Sequence, residues 1–200
     1  VESVRDVVRT AGRIGVGYLT LYAFSAENWS RPRHEVAALM RLLEKYLRDE
    51  IDELNENNVR LEAIGCLKDL PERVQKQLQK TRAATAQNDG LVLVLALSYG
   101  SRREIADSVR DVARLVKEGK ISVSDINETL ISNHLYTRAY PDPDLLIRTS
   151  GEMRISNFLL WQISYAELVV APALWPDFRK EQFLGAIAEY GRRDRRFGGI

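Results

Sequence analysis

Apolar residues recur at Val4, Val7, Val8, Ala11 and Ile14. That three-and-four spacing predicts a helix at the start of the chain. Gly12, Gly15 and Gly17 break it, and no strand precedes them, so they read as turn chemistry rather than a dinucleotide-binding loop. Residues 18–24 (YLTLYAF) predict a strand. A second helical stripe starts near Glu35 and runs through Val36, Leu39, Met40, Leu43, Leu47, Ile51 and Leu54, stopping at Asn57-Asn58. Val59–Ile64 predicts a short strand. Pro71 suits the first residue of a helix, which runs toward the turn Asn88-Asp89-Gly90.

Residues 91–97 (LVLVLAL) show no polar alternation. A strand of that kind is buried on both faces, which is the mark of a central parallel strand covered by helices. "SYGSRREI" opens a further helix that stops near Gly119, and Ser122 or Ser124 caps a short one through His134. Residues 144–148 and 166–170 predict two more strands, and residues 179–193 a last helix before the basic tail "RRDRRFGGI". Strands alternate with helices, so the chain predicts one α/β domain over residues 1–200: a mainly parallel sheet flanked by helices. In such folds ligands collect beyond the carboxyl ends of the strands. The loops 25–32, 98–103 and 149–157 qualify.

Composition narrows the function classes. With 29 basic and 28 acidic residues, the net charge of +1 gives no general attraction for nucleic acid or anionic membrane. One cysteine, Cys66, forms no intrachain disulfide, which fits a reducing cytoplasm. Two histidines and one cysteine make a structural zinc site a poor expectation. No apolar run approaches a membrane span, and no signal peptide is visible.

The strand-end loops carry the candidate chemistry. Arg148 and Arg154 flank a Ser-Gly turn, with Ser156 beyond; two guanidiniums and a hydroxyl suit a phosphate or diphosphate, and the alternative is a pair of surface arginines. "SYGSRRE" offers either helix-start N–H groups to an anion or an ordinary capped helix. In "FSAENWSRP", Asn28 can hydrogen-bond a substrate and Arg31 can face an anion. Trp29 either walls an apolar group or anchors the core. Glu167 opens an apolar strand, where a carboxylate needs a partner. Mg²⁺ is one, since it favours oxygen ligands and phosphates; a salt bridge to Arg148 is the other.

"LYAFSAENWSRP", "SYGSRREI", "DLLIRTSGEMRISNFLLWQISYAEL", "LWPDF" and "RRDRRFGG" together resemble the bacterial undecaprenyl diphosphate synthases of the cis-prenyltransferase family. The resemblance implies repeated condensation of isopentenyl diphosphate onto an allylic diphosphate such as farnesyl diphosphate, each new double bond cis. The product would be the long polyprenyl diphosphate behind the cell-wall lipid carrier. It implies that Arg148, Arg154 and Ser156 bind isopentenyl diphosphate, and that Ser25, Ala26, Glu27, Trp29, Arg31 and Ile155 contact substrate. Asn28 matches the proton-accepting or relaying residue, and Glu167 a Mg²⁺ ligand. Residues 195–199 match a segment that completes the neighbouring site in a homodimer. It further implies an apolar tunnel, for which Ala23, Leu39, Leu43, Leu47, Leu91 and Leu93 are the candidates. The setting expected is the cytoplasm, with peripheral contact at the inner face of the membrane for the lipid product and no nucleic-acid partner.

Two departures qualify the resemblance. The family's early Asp-Gly-Asn motif, whose aspartate binds Mg²⁺, has no match in this sequence, and the expectation is that those residues lie upstream of Val1. Met153 stands where some members have a metal-binding histidine, and a thioether is a poor Mg²⁺ ligand. The rival readings are a non-catalytic family subunit that supports a catalytic partner, a phosphate-ester hydrolase, for which no nucleophile is visible, and a nucleic-acid binder using the tail.

Overall fold

The all-apolar run forms β3 (Leu91–Tyr99), whose nine residues are all buried in the computed structural model, which describes residues 2–193. β3 pairs in parallel with β1 (Tyr18–Ser25) on one edge and β2 (Val59–Ile64) on the other, giving the order β1-β3-β2. Alternation along β3 divides the core. Leu91, Leu93, Leu95 and Leu97 face one layer, with Val7 and Ala11 of α1 (Glu2–Arg13), Met40 and Leu47 of α2 (Arg33–Asp49), and Val74 and Leu78 of α4 (Glu72–Ala84). Val92, Val94 and Ala96 face the other, with Tyr99, Phe158 and Leu159. Each fully buried leucine contributes roughly 1.5–3 kcal/mol relative to exposure. Two threonines tie α4 in: Thr81 donates to the Leu47 carbonyl at 2.7 Å, and Thr85 accepts from the Leu61 amide at 3.1 Å.

Three differences from the sequence expectations have local causes. The long helix breaks at Glu50 into α2 and α3 (Ile51–Glu56). Glu50 is 2 % exposed and receives two hydrogen bonds from the Arg5 guanidinium, at 2.8 and 2.5 Å. A buried carboxylate fixed by another helix is invisible to an apolar period. The last strands, β4 (Leu145–Arg148) and β5 (Glu167–Val170), form their own parallel pair. Ile147 packs on the first core cluster and Leu146 on the second, so this pair lies between the same two layers. Finally, the helix expected through residue 134 is one turn, α6 (Glu128–Ser132), and the last helix, α7 (Lys180–Tyr190), stops short of Arg193.

Two compensating bulges close the β1–β3 ladder. Tyr22 pairs with Ala96 and Phe24 with Leu97, so Ala23 is the extra residue on β1. Ser25 then pairs with Tyr99, so Ser98 is the extra residue on β3, at φ 47°. Bulges re-aim side chains at strand ends, and these two lie where the candidate loops begin.

Candidate functional site

The three strand-end loops converge on one another. After β1 the chain turns through a 3₁₀ helix, Ala26–Ser30. The bulged Ser98 accepts a hydrogen bond from the Trp29 indole at 2.9 Å and donates to Asp69 at 3.3 Å, and Asp69 also takes Arg103 at 2.6 Å. The third loop joins through Asn157. Its Nδ2 donates to Glu27 at 2.8 Å, its Oδ1 accepts from the Arg102 amide at 2.9 Å, and its backbone carbonyl accepts from the Ser101 amide at 2.9 Å. The first two N–H groups of α5 (Ser101–Lys117) are therefore occupied by protein. Of the two readings of "SYGSRRE", this favours the capped helix.

Backbone strain concentrates here. Ser98, Ser150, Ser156, Asn157 and Leu159 all have positive φ, from 47° to 69°, and Asn58 is the one other non-glycine residue that does among the described residues. Such residues cost of order 1–3 kcal/mol each and persist only where the surroundings hold them. Backbone bonds from Ser150 to the Ala173 carbonyl and from Gly151 to the Ala171 carbonyl, at 2.8 and 2.9 Å, pin the third loop beside the end of β5.

Arg148 ends β4, half-buried, and its Nε is buried without a hydrogen-bond partner. A buried guanidinium N–H at a strand end is a donor able to make a charge-assisted hydrogen bond. Arg154 is exposed and paired with Glu152. Ile155 and Ser156 are exposed beside it. Ser25 and Ala26 are half-buried at the end of β1, where the Asn28 Oδ1 accepts from the Ser25 amide at 3.0 Å. Arg31 is exposed. Trp29 is packed edge-on against Phe24 at 4.9 Å, so its ring serves the core as well as the loop. Partial burial pushes Glu27 up, and hydrogen bonds led by Asn157 outweigh it, holding the carboxyl below its usual range. Burial, aided by the Glu27 charge, pushes Tyr22 up to about 12, so its phenol stays protonated; it donates to the Tyr99 carbonyl at 3.2 Å.

Glu167 lies apart from these groups. The register sets Leu145 beside Glu167 and Arg148 beside Val170, opposite ends of the β4–β5 pair. Arg193 supplies its cation, Nη1 to Oε2 at 2.8 Å, which corrects the expected alternative partner, Arg148. Among the described residues no group of three or more His, Cys, Asp or Glu side chains could hold a metal ion. One carboxylate already held by a guanidinium does not by itself make a Mg²⁺ site. Met153 is 86 % exposed. Residues 195–199 lie outside the described residues. Leu47, Leu91 and Leu93 are closed inside the core at 0–2 % exposure, whereas Leu39 and Leu43 are half-buried and Ala23 is exposed.

Sequence reasoning missed Asn157, the Ser98 bulge and a buried carboxyl, Glu104. Each acts through a partner remote in the chain, so no local pattern marks it. The only sequence signal for Asn157 is its place beside Ser156 in a strand-end loop.

The chain matches the undecaprenyl diphosphate synthase family over residues 1–198. An isoprenyl transferase of Clostridium perfringens (strain 13 / Type A) is 50% identical over 200 residues, all of this chain and 79% of that protein. One from Bacillus subtilis (strain 168) is 48% identical over 197 residues, 98% of this chain and 76% of the relative. Among solved structures, lavandulyl diphosphate synthase from Lavandula x intermedia, in complex with dimethylallyl diphosphate, superposes with a TM-score of 0.94 at 36% identity, covering 98% of this chain and 85% of that one. A probable undecaprenyl diphosphate synthase from Campylobacter jejuni gives 0.86 at 35% identity, covering 98% and 90%.

Proposed function

This chain belongs to the undecaprenyl diphosphate synthase family of prenyltransferases, and on that footing we propose how its residues divide the reaction. It is a cis-prenyltransferase that elongates prenyl chains on isoprenoid diphosphate substrates. In our reading isopentenyl diphosphate is the repeated unit and farnesyl diphosphate the allylic primer. The observation that carries it is the buried Nε of Arg148, at the end of β4, which has no hydrogen-bond partner. A diphosphate oxygen fills that donor. Arg154, Ile155 and Ser156 complete the isopentenyl diphosphate site from the same loop, and Arg154 exchanges Glu152 for the ligand. Ser25, Ala26, Glu27, Trp29 and Arg31 face the substrate from the loop after β1.

The new carbon–carbon bond forms as the primer's diphosphate departs with the bonding pair, and a proton leaves the isopentenyl unit. Asn28, its Oδ1 steadied by the Ser25 amide, relays that proton to the departing diphosphate, whose oxygens can take it; a neutral amide is too weak a base to keep it. Arginine guanidiniums offset the charge gathering on the departing diphosphate. The metal this reading implies is Mg²⁺, with Glu167 its expected ligand. The described residues do not build that site unaided, and the steps assigned to the chain's own groups do not pass through it. The non-catalytic alternative gains nothing here, since Asn28, Trp29, Arg148, Arg154 and Ser156 are all in place.

The growing chain needs an apolar channel. α2 leaves Val36, Leu39 and Leu43 only half-buried over the core, with Ala23 exposed at the β1 bulge, which supports a channel between that helix and the sheet. Leu39→Trp is expected to shorten the products, read by reverse-phase chromatography of the dephosphorylated lipids; unchanged lengths would place the channel elsewhere. A homodimer is part of the proposal, supported by exposed apolar residues on and after β5 (Leu168, Leu174 and Trp175, 37–58 % exposed). So is a cytoplasmic setting with peripheral membrane contact. Among the described residues no helix is long and apolar enough to cross a membrane.

The direct test is incorporation of radiolabelled isopentenyl diphosphate onto farnesyl diphosphate with Mg²⁺, with and without EDTA. Long-chain product abolished by EDTA supports the reading. Product that persists in EDTA would remove Mg²⁺ from it, and no product would remove the substrate assignment.

A further inference from the structure

We propose that Asn157 is the positioning residue of the site: its carboxamide, strung between Glu27 and the first turn of α5, fixes Asn28 relative to Ser156. This rests on the division of roles above. The bond between Asn157 Nδ2 and Glu27 Oε1 spans 130 residues and joins the immediate neighbours of Asn28 and Ser156. The same planar group accepts from the Arg102 amide, so it is anchored at both ends and cannot rotate without losing one of them. Its backbone is as specific as its side chain. Ser156 and Asn157 are consecutive left-handed residues, φ 56° and 62°, and asparagine is among the few residues that tolerate that region.

Gly100 gives an independent sign that the carboxamide must sit where it does. Its φ of −161° suits any residue, yet a Cβ there would lie 2.8 Å from Asn157 Nδ2. The glycine is needed for the close approach of that side chain, not for its own backbone. The site requires one acceptor aimed at an amide and one donor aimed at a carboxylate, and an asparagine supplies both in one plane. The hydrogen bond also helps to hold Glu27 ionised. Displacement of a reacting group by about 1 Å costs on the order of 10²-fold in rate, so the effect belongs in kcat.

The test reverses the bond. Asn157→Asp sets two carboxylates against each other while keeping the acceptor for Arg102; kcat is expected to fall about 10²-fold. Adding Glu27→Gln turns the pair round, with Gln donating and Asp accepting, and the double variant is expected to recover at least about tenfold over Asn157→Asp, a rescue that a loss of folding would not show. Gly100→Ala leaves both partners intact but displaces the carboxamide. It is expected to lower kcat and to speed hydrogen exchange at the Arg102 amide. Wild-type kcat in Asn157→Asp, a folded double variant no better than Asn157→Asp when Glu27→Gln alone keeps turnover, or unchanged exchange and turnover in Gly100→Ala would each overturn the proposal. The exchange measurement needs no turnover. A wild-type protein that makes no product would therefore count against the substrate assignment, while the positioning bond is still read directly.

Discussion

Glu104→Ala will cost this fold roughly 3–5 kcal/mol, as the loss of a buried, fully engaged carboxyl does. Glu104 is one turn into α5 and 0 % exposed. It accepts from the Tyr99 hydroxyl at 2.5 Å, the Tyr136 amide at 2.8 Å and Gln162 Nε2 at 3.1 Å. It thereby ties the end of β3 to the segments before β4 and β5. Alanine leaves three donors without their acceptor and a cavity among them, each donor worth about 1–3 kcal/mol. Urea unfolding should show a lower midpoint with an unchanged slope. A loss under about 1 kcal/mol would mean that water reaches the site and replaces the carboxyl.

Glu104→Gln separates shape from charge. Burial pushes the Glu104 carboxyl above its usual range, against the hydrogen bonds it accepts. A folded value above the unfolded one means the native state holds its proton longer. The stability from that proton is full below the unfolded value of about 4.3 and is lost as pH rises through the folded value. Glutamine has no proton to lose. The stability difference between Glu104→Gln and wild type should therefore move in favour of glutamine as pH rises through that window. A difference that stays flat would show that burial does not perturb this carboxyl.

What the sequence made legible, and what it hid, follows from the range of each interaction. The run 91–97 announced a central strand because burial on both faces removes the polar alternation, and β3 is that strand. The break at Glu50 was hidden because Arg5, which holds it, is 45 residues away. The separate β4–β5 pair could not be read from two short apolar runs, since strand pairing is set by partners rather than by the strand's own residues. Arg148 and Ser156 were legible as polar residues at a strand end, where ligands gather. Asn157 was not, although it is adjacent, because nothing in its neighbourhood reveals that its partner is Glu27.

Arg148 yields the largest expected loss of activity, and the sign of its effect on stability is what makes the case. Glu104 accepts three hydrogen bonds; Arg148 has a buried Nε with none. An unfilled buried donor is a cost to the folded chain, so Arg148→Ala should leave the unliganded protein as stable as wild type or raise its thermal midpoint by about 2–4 °C. On the proposed assignment, the same change removes the charge-assisted donor for the diphosphate. Truncating one partner of a buried, hydrogen-bonded charge pair costs about 2–5 kcal/mol, or about 30- to 4,000-fold in kcat/KM for isopentenyl diphosphate. Arg148→Lys restores a charge but neither the planar fork nor an N–H at the Nε position, so it should recover less than about tenfold of that loss. A variant that gains stability as it loses catalysis marks a residue kept for its ligand. If Arg148→Ala instead lost stability and kept turnover, the guanidinium would be a structural group, and the diphosphate would have to be held by the exposed Arg154 and Arg31.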